Sequence, residues 1–167
     1  MDLKDDLSKA TDNFGRVAVI LLRLSRSLPS ALSVIPDTLL RILCGCDIPR
    51  SVAIEAGLRL PHGGRGVVVH PGSRIGRNVT IYHGVTLGVS GPSQGAPEIG
   101  DGVYIGTGAC LLGAVVVGPS ARIGANAVVL GNVPADSTAV GVPARIVSPP
   151  NRPRAANATS APLPDSS

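Results

Sequence analysis

Aromatic residues are nearly missing from this chain of 167 residues: it has no Trp, one Phe (Phe14) and two Tyr (Tyr82 and Tyr104). A core built around large rings is excluded, and so is an aromatic platform for stacking nucleic-acid bases. Cysteine is scarce as well. Cys44, Cys46 and Cys110 form no even disulfide framework, and Cys44-x-Cys46 is tighter than the usual metal-binding pair, so they read as free thiols of a reducing cytosol. Long apolar runs are absent. The longest early one, VAVILL at 17–22, falls far short of the roughly 20 residues that span a bilayer. The first residues, MDLKDDLSKATDN, are acidic and polar, unlike a secretory signal. These features predict a cytoplasmic protein. The net charge of +4 comes from scattered arginines, which suits a basic groove for a phosphorylated small molecule and predicts no nucleic-acid partner.

What is present is a period. Apolar residues make up 44% of the chain, with 21 Gly and 15 Pro. Ile99, Ile105, Leu111, Val117, Ile123 and Val129 follow one another at six-residue steps, and the residue four further on is small or branched each time: Val103, Ala109, Val115, Ala121, Ala127 and Val133. Glycine follows the inward residue at Gly100, Gly106, Gly118 and Gly124, as expected of backbone freedom at a bend. The same register runs earlier through Val69, Ile75, Ile81 and Leu87, and before that through Ile48, Ile54 and Leu60. A six-residue unit suits neither a helix nor a hairpin. It fits a short flat strand ending in a corner, three units to a coil and coils about 4.8 Å apart. Residues 18 apart should then stack, placing Val69, Leu87, Ile105 and Ile123 on one wall. The predicted fold class is mainly β: a left-handed parallel β-helix of hexapeptide repeats, whose narrow interior accounts for the missing aromatics.

Two segments break the period. Leu60 to Val69 is nine residues, and Leu87 to Ile99 is twelve, with GVSGPSQGAPE thrown out as a loop. Insertions in repeat proteins gather on a binding face, so both are candidate site walls. Upstream, Val17, Ile20, Leu21 and Leu24 follow helical spacing with Arg16, Arg23 and Arg26 on the polar side, and a second helical stretch follows Pro29. Such helices serve as a cap over the first coil, which repeat arrays require; a basic membrane-surface segment is the rival reading. The expected division is a helical segment at 1–46, a β-helical domain at 47–147 and a tail at 148–167, disordered by composition.

The repeats, the loop and the strings IYHGVTLG, IGDGVYIGTGACLLG, ARIGANAVVL and VGVPARIV resemble the hexapeptide-repeat acyltransferases. Over residues 47–147 the likeness is greatest to serine O-acetyltransferases and related sugar O-acetyltransferases. The resemblance implies a homotrimer with acetyl-CoA, as co-substrate, lying between neighbouring subunits. It also implies a histidine that acts as general base, supported by a carboxylate fifteen residues earlier. Asp47-Ile48-Pro49 and His62 stand at those positions. Acceptor-pocket candidates are His83, Arg65 and Gln94. CoA-binding candidates are Gly106, Gly124, Ala125, Val142 and Arg145, the last facing a CoA phosphate. No metal is implied.

The chain also departs from the serine enzymes. Pro61 stands where they usually carry an Asp before the catalytic His, and Ala96 stands where their loop carries a second functional His. Their helical region is longer than these 46 residues, and the chain ends Asp-Ser-Ser rather than on an apolar docking residue.

The residue chemistry suits acyl transfer. A neutral imidazole takes a hydroxyl proton near neutral pH, and a carboxylate on its other nitrogen orients it. Spacing alone leaves a second reading open, with His62 a solvated turn residue and Asp47 a cap. His70, before Pro71, reads as a structural corner, and Cys110 as an inert thiol. The expectations are therefore an acetyl-CoA-dependent O-acetyltransferase acting on L-serine, the same chemistry on a sugar hydroxyl, or a non-enzymatic trimeric scaffold. The partners are a small-molecule acceptor and acetyl-CoA, with no membrane.

Overall fold

The structure is a computed structural model that describes Asp6 and residues 12–91 and 95–148. Gln94 and residues 149–167 of the expected tail lie outside the described residues. Over residues 12–39 the chain forms two helices, α1 (Asn13–Ser27) and α2 (Ser30–Leu39). A π-helical turn, Leu40–Cys44, follows and closes on Gly45 in the left-handed region. Thirteen short strands follow among the described residues: β1 (Ala53–Ile54), β2 (Val68–Val69), β3 (Arg74–Ile75), β4 (Thr80–Ile81), β5 (Thr86–Gly88), β6 (Glu98–Ile99), β7 (Tyr104–Ile105), β8 (Cys110–Leu112), β9 (Val116–Val117), β10 (Arg122–Ile123), β11 (Val128–Val129), β12 (Thr138–Val140) and β13 (Arg145–Ser148).

The strands form the three faces of a coil. They order as β1-β3-β6-β9, as β2-β5-β8-β11 and as β4-β7-β10-β12-β13. All pairs are parallel except β12 with β13. The hexad residues point inward as their period requires. Ile99, Ile105, Leu111, Val117, Ile123 and Val129 are all buried, and so are their small companions Val103, Ala109, Val115, Ala121, Ala127 and Val133.

Three sequence expectations need correction. The wall Val69–Leu87–Ile105–Ile123 does not exist. Leu87 stacks on Leu111, because the long loop adds six residues to one coil without adding a strand. The walls are instead Val69–Leu87–Leu111–Val129, with Ile81–Ile105–Ile123–Ala139 on another face.

The glycines after the inward residues are also there for a different reason. Left-handed backbone falls two residues later, at Gly102, Gly108, Ser120 and Asn126. Gly106 is required by close stacking: a Cβ there would lie 2.7 Å from Ala125 N of the next coil.

The third correction concerns α1. Its packed face is Ala18, Val19 and Leu22, while Val17, Ile20 and Leu24 point outward. Arg23, expected on the polar side, is buried. Its Nε donates to Asp6 Oδ2 at 2.6 Å, and its guanidinium also donates to the carbonyls of Ile54 and Glu55. A buried guanidinium is tolerated when it is paired and its donors are used. These bonds fasten α1 to the first coil, where Asp6 Oδ1 also accepts from Gly57 N and Leu58 N.

Candidate active site

His62 lies in the irregular segment between Leu60 and Val69. Pro61–Gly64 makes a single tight turn there, and the extra residues shift the stacking so that Asp47 bridges Val68, 21 residues on. His62 is exposed and sits at φ 58°, ψ 27°, in the left-handed region that non-glycine residues seldom enter. Its backbone N–H donates to Asp12 Oδ2 at 2.7 Å. Asp12 is the N-cap of α1 and also accepts, through Oδ1, from Gly15 N. Burial alone would raise the Asp12 carboxyl. The two backbone donors and the nearby His62 outweigh it and hold the group below its ordinary 3.8. Asp12, Asn13, Phe14, His62 and Arg65 together line an open hollow of about 410 Å³, with the Arg65 guanidinium 5.0 Å from the centre of the Phe14 ring.

From this hollow one edge of the coil carries most of the remaining candidates. Gly84 N donates to Arg65 O, Gly108 N to His83 O and Asn126 N to Thr107 O. Successive corners are thereby stacked, bringing Arg65, His83 and the Gly106–Gly108 and Gly124–Asn126 corners into one column. Val142 continues past the last corner, where Val128 N donates to Gly141 O, and Arg145 opens β13 opposite Val140. Val142 is exposed. The N–H groups of Gly106 and Gly124 are spent on Ile123 O and Ala139 O. Any ligand on this edge is therefore met by carbonyls, corner residues and side chains.

The His62 and His83 rings meet edge to face with centroids 5.4 Å apart, and Tyr82 stands 6.3 Å from His62. Tyr82 in turn leans on Tyr104, over which Arg122 lies at 4.4 Å. His83 Nδ1 is buried with no hydrogen-bond partner among the described residues. His70 is occupied in its own turn, with Nδ1 accepting from Gly72 N at 3.1 Å.

The Asp47 carboxylate is engaged elsewhere. Its Oδ1 is 2.8 Å from Arg41 Nη2 across a half-exposed surface; the atom has no aligned hydrogen bond, so the contact is an ion pair by distance only. No hydrogen bond joins Asp47 to His62 among the described residues.

Sequence reasoning missed Asp12. Its position just before an apolar helical run marks it as an N-cap, but nothing in the local sequence reveals the contact to His62, 50 residues away. No group of three or more His, Cys, Asp or Glu that could hold a metal occurs among the described residues. No described helix is long and apolar enough to cross a membrane.

Residues 96–131 match the bacterial transferase hexapeptide (six repeats) family. The chain is 43% identical over 109 residues to a serine acetyltransferase of Staphylococcus xylosus, an alignment covering 64% of this chain and 50% of that protein. Among solved structures, serine acetyltransferase from Brucella abortus strain S19 in complex with coenzyme A superimposes with a TM-score of 0.77 at 33% identity, covering 87% of this chain and 66% of the other. Soybean serine acetyltransferase complexed with serine gives 0.72 at 38% identity, covering 81% and 58%. The chain thus spans about half the length of the Staphylococcus relative. The repeats at 96–131 are thus similar to bacterial transferase hexapeptide repeats, and across about two thirds of its length the protein is similar to serine acetyltransferases.

Proposed function

We propose that this protein transfers the acetyl group of acetyl-CoA to the hydroxyl of L-serine, with His62 as general base. The observation that carries the reading is the placing of His62. It is exposed, held in an irregular turn, and stands at the head of the column that contains His83 and the glycine-rich corners. Likeness to relatives solved with coenzyme A and with serine supports the same substrates here. In this reading the coil is left-handed, and residues 1–46 are a segment ahead of the catalytic domain at 47–147. Three copies form a homotrimer in the cytoplasm with sites between subunits.

The residues along the edge suit a coenzyme A ligand. In this reading coenzyme A lies along the stacked corners at Gly106 and Gly124, and Arg145 supplies an exposed cation for a phosphate. Bound acetyl-CoA supplies the activated acetyl thioester. His62 accepts the serine hydroxyl proton as the oxygen attacks, and holds it for the departing thiolate. His83 and Arg65 face the acceptor in this reading, and Gln94 lies outside the described residues. Asp47 orients the imidazole in this reading once it exchanges Arg41 for His62, a role that rests on the resemblance to the serine enzymes.

Ala96, standing where the serine enzymes carry a loop histidine, favours a second reading in which a sugar hydroxyl is the acceptor. The purified protein is offered L-serine and acetyl-CoA, and released CoA is followed with a thiol reagent. Serine-dependent release that disappears in His62→Ala supports the proposal. Absence of release with serine, alongside release with a hydroxylated sugar, moves the acceptor to the sugar class. Full turnover by His62→Ala overturns the assignment of the base.

A further inference from the structure

We propose that Asp12 is a positioning residue for His62, with one carboxylate oxygen holding the turn that carries the imidazole while the other caps α1. The inference rests on the reading of His62 as the base. Five described non-glycine residues have positive φ: His62, Asn78, Ser120, Asn126 and Asp136. Four of them are small polar residues at coil corners, where Asn, Asp and Ser turns are ordinary. His62 is the exception. It has no short polar side chain to bond its own backbone, and left-handed backbone costs such a residue conformational energy. An outside tie must hold it there.

Two ties exist. Gly63 N donates to Leu60 O at 3.2 Å within the turn, and His62 N donates to Asp12 Oδ2 at 2.7 Å across 50 residues of sequence. The second tie is reinforced by packing. A Cβ on Gly63 would meet the Phe14 ring at 3.1 Å, and a Cβ on Gly15 would lie 2.7 Å from Leu60 O. The first turn of α1 and the His62 turn are therefore interlocked, and Asp12 is the polar member of the contact. The carboxylate matters because both oxygens are used at once, each on a different backbone N–H. A serine or asparagine caps a helix about as well as aspartate, but offers one acceptor oxygen for the two donors. Substitution at Asp12 can thus separate the cap from the tie.

The experiment uses the full chain with Asp12→Ser, and Asp12→Asn as the second variant should the first fail to fold. Three quantities are read: amide hydrogen exchange at His62 and Gly15, the melting temperature, and kcat with KM for acetyl-CoA. The expected result is His62 exchange faster by about tenfold or more with Gly15 still protected, a melting temperature within about 4 °C of wild type, and kcat down about tenfold at unchanged KM. Unchanged His62 exchange overturns the tie. Faster exchange with unchanged kcat overturns the positioning role and leaves Asp12 as a structural cap. A wild-type protein without acetyl transfer refutes the base assignment instead. The exchange measurement then still decides whether Asp12 holds the turn.

Discussion

The His62 and His83 rings stand edge to face at 5.4 Å, although one lies in an irregular turn and the other at a regular corner of the coil. The contact separates their roles. His62 is exposed and free to meet a hydroxyl, whereas His83 is half-buried with its Nδ1 enclosed. His62→Ala is expected to lower kcat by about 10² or more, the usual worth of a general base. His83→Ala is expected to cost less in kcat and to act mainly on KM for the acceptor. Initial-rate kinetics on both variants check this, and the opposite order would make His83 the base.

The tight stacking of the coil predicts a contrast between two glycines that look alike in sequence. Gly106→Ala would put a Cβ 2.7 Å from Ala125 N, and the backbone there has no flexible end to give way. Gly131 has nothing within 4 Å of the corresponding position. Gly106→Ala is expected to destabilise by about 1–3 kcal/mol, as overpacking does, and Gly131→Ala to stay within about 0.5 kcal/mol of wild type. Urea denaturation at one fixed protein concentration measures both. Equal costs would mean that backbone freedom, rather than close approach, selects glycine at these corners.

The hexad made the architecture legible because a narrow three-sided coil imposes one apolar and one small residue on every side, from Ile99 to Val133. It did not reveal which sides stack. A loop that adds six residues preserves the hexad phase while moving Leu111, not Ile105, onto Leu87. Hydrophobic spacing also misassigned α1. That helix has two apolar rows, and Arg23 could be buried only because Asp6 and two carbonyls receive it, a long-range fact that periodicity does not carry. At the candidate site His62 and His83 could be picked from short strings, since glycine-rich irregularity marks them. Asp12 could not, because its second bond crosses 50 residues and exists only after α1 has docked.

The three thiols supply a pH test. Burial pushes the Cys46 thiol up to about 12, with Cys44 and Asp47 nearby adding to the effect; burial also raises Cys44, against the pull of Arg65. Both are fully enclosed, whereas Cys110 is half-buried. Only the thiolate attacks a disulfide reagent, so at pH 8 Cys110 is expected to react first, with Cys44 and Cys46 following only on unfolding. The same shift couples to stability. Between the ordinary value of 9.0 and about 12 the folded chain keeps the Cys46 proton that the unfolded chain has lost. The folded state then binds more protons, and stability falls as pH rises through that window, by at most about 1.4 kcal/mol per pH unit from this group. Cys46→Ala removes that contribution. Denaturation midpoints taken at several values above pH 9 on the wild type and the variant should therefore converge as the pH rises, and parallel curves would mean that Cys46 is not held protonated by its burial.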